Sequence, residues 1–288
     1  MIRPSLALRA ALVALVAVLA SPVARAEEPP PYRILVTNDD GIDAPGLAAL
    51  VKALGPLGEV IVVAPAENQS GIGHALTLRG PITLRRRKVA GQEATAVSAT
   101  PASVVRVALA HLLAEAPPDL VVSGVNRGLN WGRNAYISGT VGAAREATLS
   151  GVPAIAASLA IEGHPDYSRA AELTARVAAA VRQTGLAAGI FLNVNIPAGE
   201  TRGLRLARQS LLAGTEQFEE RRSPYGMRYL WNVFRQPTEA RETGTDVASV
   251  LAGYAAVTPL RAYEGDPTVL DEMGAGFAEL LNPSVDQQ

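Results

Sequence analysis

The sequence predicts an α/β protein built on a doubly wound, Rossmann-like parallel sheet, followed by a β-rich C-terminal extension. Three observations carry this. From residue 33 onward, short continuous apolar runs rich in Val and Ile alternate with longer helical stretches. Each early run stops at a cluster of Asn, Asp, Ser or Gly. After Pro197 the character changes to segments in which apolar and polar residues take turns. Runs buried on both faces and joined by helices indicate a parallel sheet. Alternating segments indicate exposed or edge strands.

The elements follow in order. Ile34-Leu-Val-Thr37 is a strand that ends at Asn38-Asp39-Asp40-Gly41. Pro45 and Gly46 open a helix over 47–54, closed by Gly55-Pro56, and a strand over 60–64 follows. Pro at a first helical turn and Gly past the last one fit this reading. Further helices are expected over 101–113, 142–149 and 167–182, with strands over 120–122, 154–158 and 190–196. Residues 33–197 form the doubly wound domain. Residues 198–288 form the extension, with alternating strands over 203–208 and 227–234. Glu216 to Pro224 is charged and reads as a loop or hairpin tip. Gly244-Thr245-Asp246 precedes a helical stretch, and residues 254–260 form a last strand.

The chain opens differently. Arg3 and Arg9 precede an unbroken apolar run from Ala10 to Ala20, and Ala24-Arg25-Ala26 has the small-x-small form of a cleavage site. That order is expected of a secretory signal peptide over 1–26, with a Sec-type route because twin arginines are absent. Residues 27–32 read as a proline-rich, flexible lead-in. The expected location is therefore exported, periplasmic in a bacterium, with no stable membrane association after cleavage.

The formal net charge is −1, and residues 1–26 hold three arginines and no acid, so without them it is −4. Such a surface has no global field for nucleic acid. The one basic run, Arg85-Arg-Arg-Lys88, reads as a solvated strand or hairpin end. The chain has no cysteine and three histidines. Thiol catalysis, thiolate zinc and disulfides are excluded. A metal would have to sit mainly on oxygen, which points to a hard divalent ion such as Mg²⁺, Mn²⁺ or Ca²⁺.

In an open parallel sheet, ligands bind outside the carboxyl ends of the strands. The segments Asn38-Asp39-Asp40-Gly41, Asn68-Gln69-Ser70-Gly71 and Asn126-Arg-Gly-Leu-Asn130 all fall at that edge. Adjacent carboxylates repel unless a cation lies against them or one takes a proton, so Asp39 and Asp40 are the sharpest feature, though Asp and Asn also favour plain turns and caps. Ser70 and Gly71 offer a hydroxyl and backbone N–H groups. Ser138-Gly139-Thr140 opens a helix and offers hydroxyls beside free N–H groups, a phosphate cradle or a plain cap. His74 reads as a site residue or a hydrogen-bonded loop histidine. His111 reads as structural, and His164 has no assigned role.

These segments together resemble the SurE survival proteins, which are stationary-phase nucleotide phosphatases. The match runs through Ile34-Leu-Val-Thr-Asn-Asp-Asp-Gly-Ile42, Val62-Val-Ala-Pro65, Asn68-Gln-Ser-Gly71 and Pro118-Asp-Leu-Val-Val-Ser-Gly-Val-Asn126. It continues through Ser138-Gly-Thr-Val141, Gly151-Val-Pro-Ala-Ile155, Gly244-Thr-Asp246 and Gly253-Tyr-Ala-Ala-Val-Thr-Pro-Leu260. Several blocks in order are far more specific than any one of them.

The resemblance implies a divalent-metal-dependent hydrolase of nucleoside monophosphates, mainly the 5′ and often also the 3′ esters. It implies one metal ion on Asp39, Asp40, Ser70 and Asn126, and a phosphate pocket at Asn130 and Ser138-Gly139-Thr140, with Asn38 and Gly71 beside it. Asp39 would be the base or the nucleophile, with Asp40 as its catalytic partner. The extension would be an arm swapped between subunits of a homodimer or homotetramer. There are departures: Ser103 and Val104 stand where the family commonly has Asp and Cys, and Ile137 where it has Tyr. Two rival readings are a Rossmann-type nucleotide-dependent transferase and an inactive exported nucleotide-binding protein.

Overall fold

The structure is a computed structural model and describes residues 30–263 and Gly265. The signal segment over 1–26, the start of the lead-in and the residues past Gly265 lie outside the described residues.

Eleven strands and five α-helices are described. They are β1 (Arg33–Thr37), α1 (Pro45–Leu54), β2 (Glu59–Pro65), β3 (Leu84–Val89), β4 (Gln92–Val97), α2 (Pro101–Val107) and β5 (Leu120–Arg127). Then come α3 (Gly139–Leu149), β6 (Ala154–Leu159), α4 (Tyr167–Thr184), β7 (Ile190–Ile196) and β8 (Leu204–Leu206). The series ends with β9 (Thr215–Arg222), β10 (Arg228–Arg235), α5 (Asp246–Leu251) and β11 (Ala255–Arg261). Nine strands form one sheet in the order β3-β4-β2-β1-β5-β6-β7-β11-β8, and β9 and β10 form a separate ribbon. From β4 to β7 every pairing is parallel. The expected mixed α/β class with a mainly parallel sheet is what the structure has.

The two faces of the sheet have separate cores. Leu47, Leu50, Val51 and Leu54 of α1 and Val177, Ala178 and Val181 of α4 pack on Ile34, Val36, Val122 and Ile155. Val104 and Val105 of α2 and Val141, Ala144 and Ala147 of α3 pack on Leu35, Val63, Val121 and Ala156. Alternate residues of β1 thus feed opposite cores, as the pleat requires.

Several boundaries differ from the sequence reading, each for a local reason. Helix α3 starts at Gly139 rather than 142, because the Ser138 side chain caps it by accepting from the Val141 N–H. Helix α2 ends at Val107, and the predicted stretch continues as a π turn over Ala108–Leu112. Residues 84–97 form a hairpin whose second strand, β4, joins β2 in parallel; the basic run is its exposed outer strand. The segment 216–224 is mostly strand β9 rather than loop. Cross-strand pairs explain it: Glu220 accepts from Arg228 at 2.8 and 2.9 Å, and Asn232 donates to Glu216 at 3.1 Å.

The chain past Pro197 also returns to the main sheet. Strand β11 pairs antiparallel with β7 and parallel with β8. Among the described strands, only the β9–β10 ribbon stands apart from it. Asp246 fastens this return. It is fully buried, and its carboxylate accepts from the backbone N–H groups of Gly132 (2.7 Å), Ser210 (2.9 Å) and Val247 (2.8 Å). Asp246→Ala strands three buried donors, each worth about 1–3 kcal/mol. Urea denaturation is expected to show a loss of roughly 3 kcal/mol or more, whereas Asp246→Asn, which keeps part of the acceptor set, loses less.

Candidate active site

The carboxyl ends of β1, β2 and β5 and the amino end of α3 meet at one place. Asp39 follows β1 directly and is only 3% exposed. Its Oδ1 accepts from the Thr140 hydroxyl at 2.5 Å. Helix α3 reaches this close because Gly139 has no side chain: a Cβ there would lie 2.8 Å from the Asp39 Cβ and 3.0 Å from its Oδ2. The Asp39 carbonyl accepts from the Gln69 N–H at 2.7 Å, which draws the Ser70 loop over the same spot.

Strand β5 breaks its register with β6 between Ser123 and Asn126. Gly124 makes that irregularity possible: its φ is +137°, and a Cβ would meet the Ala157 carbonyl oxygen at 2.3 Å. The break turns Asn126 toward the site. The Asn126 Nδ2 donates to the Gly128 carbonyl at 2.7 Å, leaving its Oδ1 for a ligand. Asn130 is held from several sides. Its N–H donates to Asn195 Oδ1 (2.8 Å), its Nδ2 to Ser158 Oγ (2.8 Å), and its carbonyl accepts from Asn193 Nδ2 (2.8 Å).

Asp39, Ser70, Gly71, Asn126, Asn130 and Ser138 line one cavity of about 280 Å³. Asp40 instead lines an adjoining cleft of about 640 Å³, where its Oδ2 accepts from the Arg127 N–H at 2.9 Å. Three predicted residues support the cavity without lining it. The Asn38 Nδ2 donates to the Gly41 carbonyl at 2.8 Å and shapes the turn. Thr140 is fully buried behind Asp39, and Gly139 provides the close approach. His74 is turned away, with its Nε2 2.7 Å from Glu146. His111 is exposed on the π turn.

The departures fall into place locally. The Ser103 hydroxyl accepts from the Thr77 N–H at 2.8 Å and ties loop to helix, Val104 is buried in the core, and Ile137 lines the cavity. Sequence reasoning missed Arg127, Ile161, Phe234 and Gln236, which also line it. Arg127 had a signal, being enclosed by Asn126 and Gly128 at a strand end. Phe234 and Gln236 come from the ribbon and the residues just after it, more than 90 residues from Asn126 in the sequence, and had none.

Burial pushes the Asp39 carboxyl up to about 6, with the Thr140 hydroxyl pulling it down and the Asp40 charge pushing it further up. Burial also raises Asp40, against the Arg127 N–H and charge. Carboxylates that resist ionisation beside a neutral amide oxygen and a hydroxyl suit a divalent cation. Among the described residues no cluster of three or more His, Cys, Asp or Glu could hold a metal. An ion here would find the Asn126 and Ser70 oxygens beside the carboxylates, and that donor set fits a hard cation.

The comparisons with known proteins agree with this geometry. The family model described as "Survival protein SurE" matches residues 34–215, well over half of the chain. The chain belongs to the SurE family. It is 45% identical over 231 residues to the 5′-nucleotidase SurE of Syntrophotalea carbinolica, covering 79% of this chain and 90% of that protein. It is 42% identical over 254 residues to the 5′-nucleotidase SurE 1 of Thermus thermophilus, covering 87% and 96%. The crystal structure of the SurE protein from Aquifex aeolicus superposes with a TM-score of 0.76 at 35% identity, covering 86% of this chain and 99% of that one. SurE membership accounts for the order of the strand-end blocks and for the mixed α/β sheet.

The raised Asp39 fixes a sign. The folded, metal-free protein holds its proton more tightly than the unfolded chain, so this contribution is fully present below about pH 4 and lost as pH rises through about 6. About two pK units correspond to roughly 3 kcal/mol. In chelator-treated protein, the stability of wild type relative to Asp39→Asn is expected to fall by about that much between pH 4 and pH 7. A flat difference across that range is the contrary result.

Proposed function

We propose that this SurE-family protein is a divalent-metal-dependent phosphomonoesterase that releases phosphate from nucleoside 5′-monophosphates, and from 3′-monophosphates as well. The observation that supports it best is the single cavity that gathers Asp39, Ser70, Asn126, Asn130 and Ser138 at the strand ends. The relatives named as 5′-nucleotidases support the substrate class.

Asp39, Asp40, Ser70 and Asn126 would hold one Mg²⁺, Mn²⁺ or Ca²⁺ ion. Bound there, the ion supplies Lewis acidity toward a phosphoryl oxygen and a nearby water. The remaining work falls to the chain. Asp39, with one oxygen held by Thr140, is placed to accept a proton near neutral pH. At the start of α3 the Ser138 hydroxyl lines the cavity and can meet the phosphoryl oxygens. Asn130, immobilised by Ser158, Asn193 and Asn195, fixes the opposite side. Ile137, Ile161 and Phe234 give the cavity an apolar wall against which a nucleoside can lie.

Two accompanying proposals rest on other parts of the chain. Residues 1–26 direct export and are removed, so mass analysis of the protein from a periplasmic fraction should give a chain beginning at Glu27; a chain beginning at Met1 contradicts this. The ribbon exposes Phe218, Leu230 and Trp231 among its charged residues, and an arm with exposed apolar side chains suits exchange between subunits of a homodimer or homotetramer. Light scattering of a variant lacking the ribbon tests this, and an unchanged oligomeric mass opposes it.

For the activity itself, a phosphomonoester panel with and without chelator separates the readings. Asp39→Asn is expected to lose at least about 1000-fold in kcat while keeping a folded circular dichroism spectrum. Phosphate release that survives both the substitution and metal removal rules the mechanism out. Nucleotide binding without release identifies an inactive binding protein, and release only with a second acceptor identifies a transferase.

A further inference from the structure

We propose that the Arg127 guanidinium is a substrate-phosphate-binding group of this site. The inference rests on the phosphomonoesterase reading and adds a residue to it. Arg127 ends β5 directly after Asn126. Its backbone N–H is committed to Asp40 at 2.9 Å. Its side chain is exposed, and no side-chain hydrogen bond or ion pair to it is found among the described residues. It lines both the 280 Å³ cavity and the 640 Å³ cleft, and among the described residues it is the one cationic residue lining either.

Charge decides which of the two takes the phosphate. The larger cleft sets Asp40, Asp43 and Glu67 against Arg127. A phosphomonoester carries close to two negative charges near neutral pH, and three carboxylates repel it. In the smaller cavity Arg127 faces one carboxylate, Asp39, and that charge is offset by the proposed divalent ion. The guanidinium offers a planar fork of donors that matches two phosphate oxygens. The backbone N–H stays on Asp40 whichever way the side chain turns, so the guanidinium can reach into the smaller cavity while that hydrogen bond holds. Arg127 would therefore grip the phosphate from the side not occupied by the metal.

The test uses Arg127→Gln and Arg127→Lys in the full, metal-loaded protein. Loss of a charge-assisted hydrogen-bonded pair corresponds to roughly 10- to 100-fold in binding. Arg127→Gln is expected to raise KM for a nucleoside 5′-monophosphate and Ki for inorganic phosphate by that factor, with kcat reduced less than about threefold. Arg127→Lys should recover part of both. Metal binding measured by calorimetry should fall much less than phosphate binding, since the Asp40 hydrogen bond comes from the backbone and only the guanidinium's charge near that carboxylate is lost, and the melting temperature should stay within about 2 °C.

The proposal is overturned if Arg127→Gln leaves KM and Ki within about twofold. It is also overturned if the loss is confined to kcat, or if metal affinity falls as far as phosphate affinity, which would place the residue's action on Asp40. Should the wild-type protein release phosphate from no nucleotide, the functional reading fails separately. Calorimetric binding of inorganic phosphate then decides: weaker binding by Arg127→Gln supports the role, and equal binding removes it.

Discussion

The site depends on keeping one ionisable carboxylate where water is scarce. Asp39 is buried just past the end of a strand whose last four residues are buried. Burying a charge is costly. Here the cost is offset by the Thr140 hydroxyl and by the positive end of α3, which the missing side chain of Gly139 lets approach within contact distance. The offset is incomplete, as the raised pKa shows. The same residue also organises its neighbours, because its carbonyl holds the loop that carries Ser70. Helix, loop and strand end are therefore located relative to a single side chain.

A further tie reinforces that arrangement away from the cavity. Glu146 of α3 is buried between His74 at 2.7 Å and Arg106 at 2.6 Å. Burial alone would raise its carboxyl, but the hydrogen bonds from His74 and Arg106 outweigh it and hold it below the usual value. The backbone at Gly73 meets α3 so closely that a Cβ on Gly142 would lie 2.5 Å from the Gly73 carbonyl oxygen. The Ser70 loop is thus fastened at both ends, to Asp39 through Gln69 and to Glu146 of α3 through His74. A loop rich in glycine gains its definition from these contacts rather than from its own backbone.

The parallel core was legible because its signal is local: Val- and Ile-rich runs ending in turn formers mark β1, β2, β5 and β6 directly. The strand-end location of Asp39, Ser70 and Asn126 followed from the same rule. What stayed hidden depends on pairing at a distance. The β9 strand resembled a loop because Glu219, Glu220, Arg221 and Arg222 are charged, and only the facing ribbon strand explains their extended backbone. Strand β11 resembled part of an appendage, yet it pairs with β7. In the site, hydroxyls and amides beside a turn cannot be sorted by sequence into those that face a cavity and those that stand behind it. Ser138 and Thr140 are two positions apart at one helix start, yet Ser138 lines the cavity while Thr140 is buried behind Asp39.

Asn126 shows how such a site chooses between chemically similar atoms. An amide side chain can present either its oxygen or its nitrogen to a ligand. With the nitrogen spent on the Gly128 carbonyl, rotation by half a turn would set two carbonyl oxygens against each other. The pocket consequently displays an electron-rich, uncharged atom at this corner. It gains affinity for a cation there without adding a third negative charge, so an incoming phosphate meets less repulsion than it would from a carboxylate at the same position.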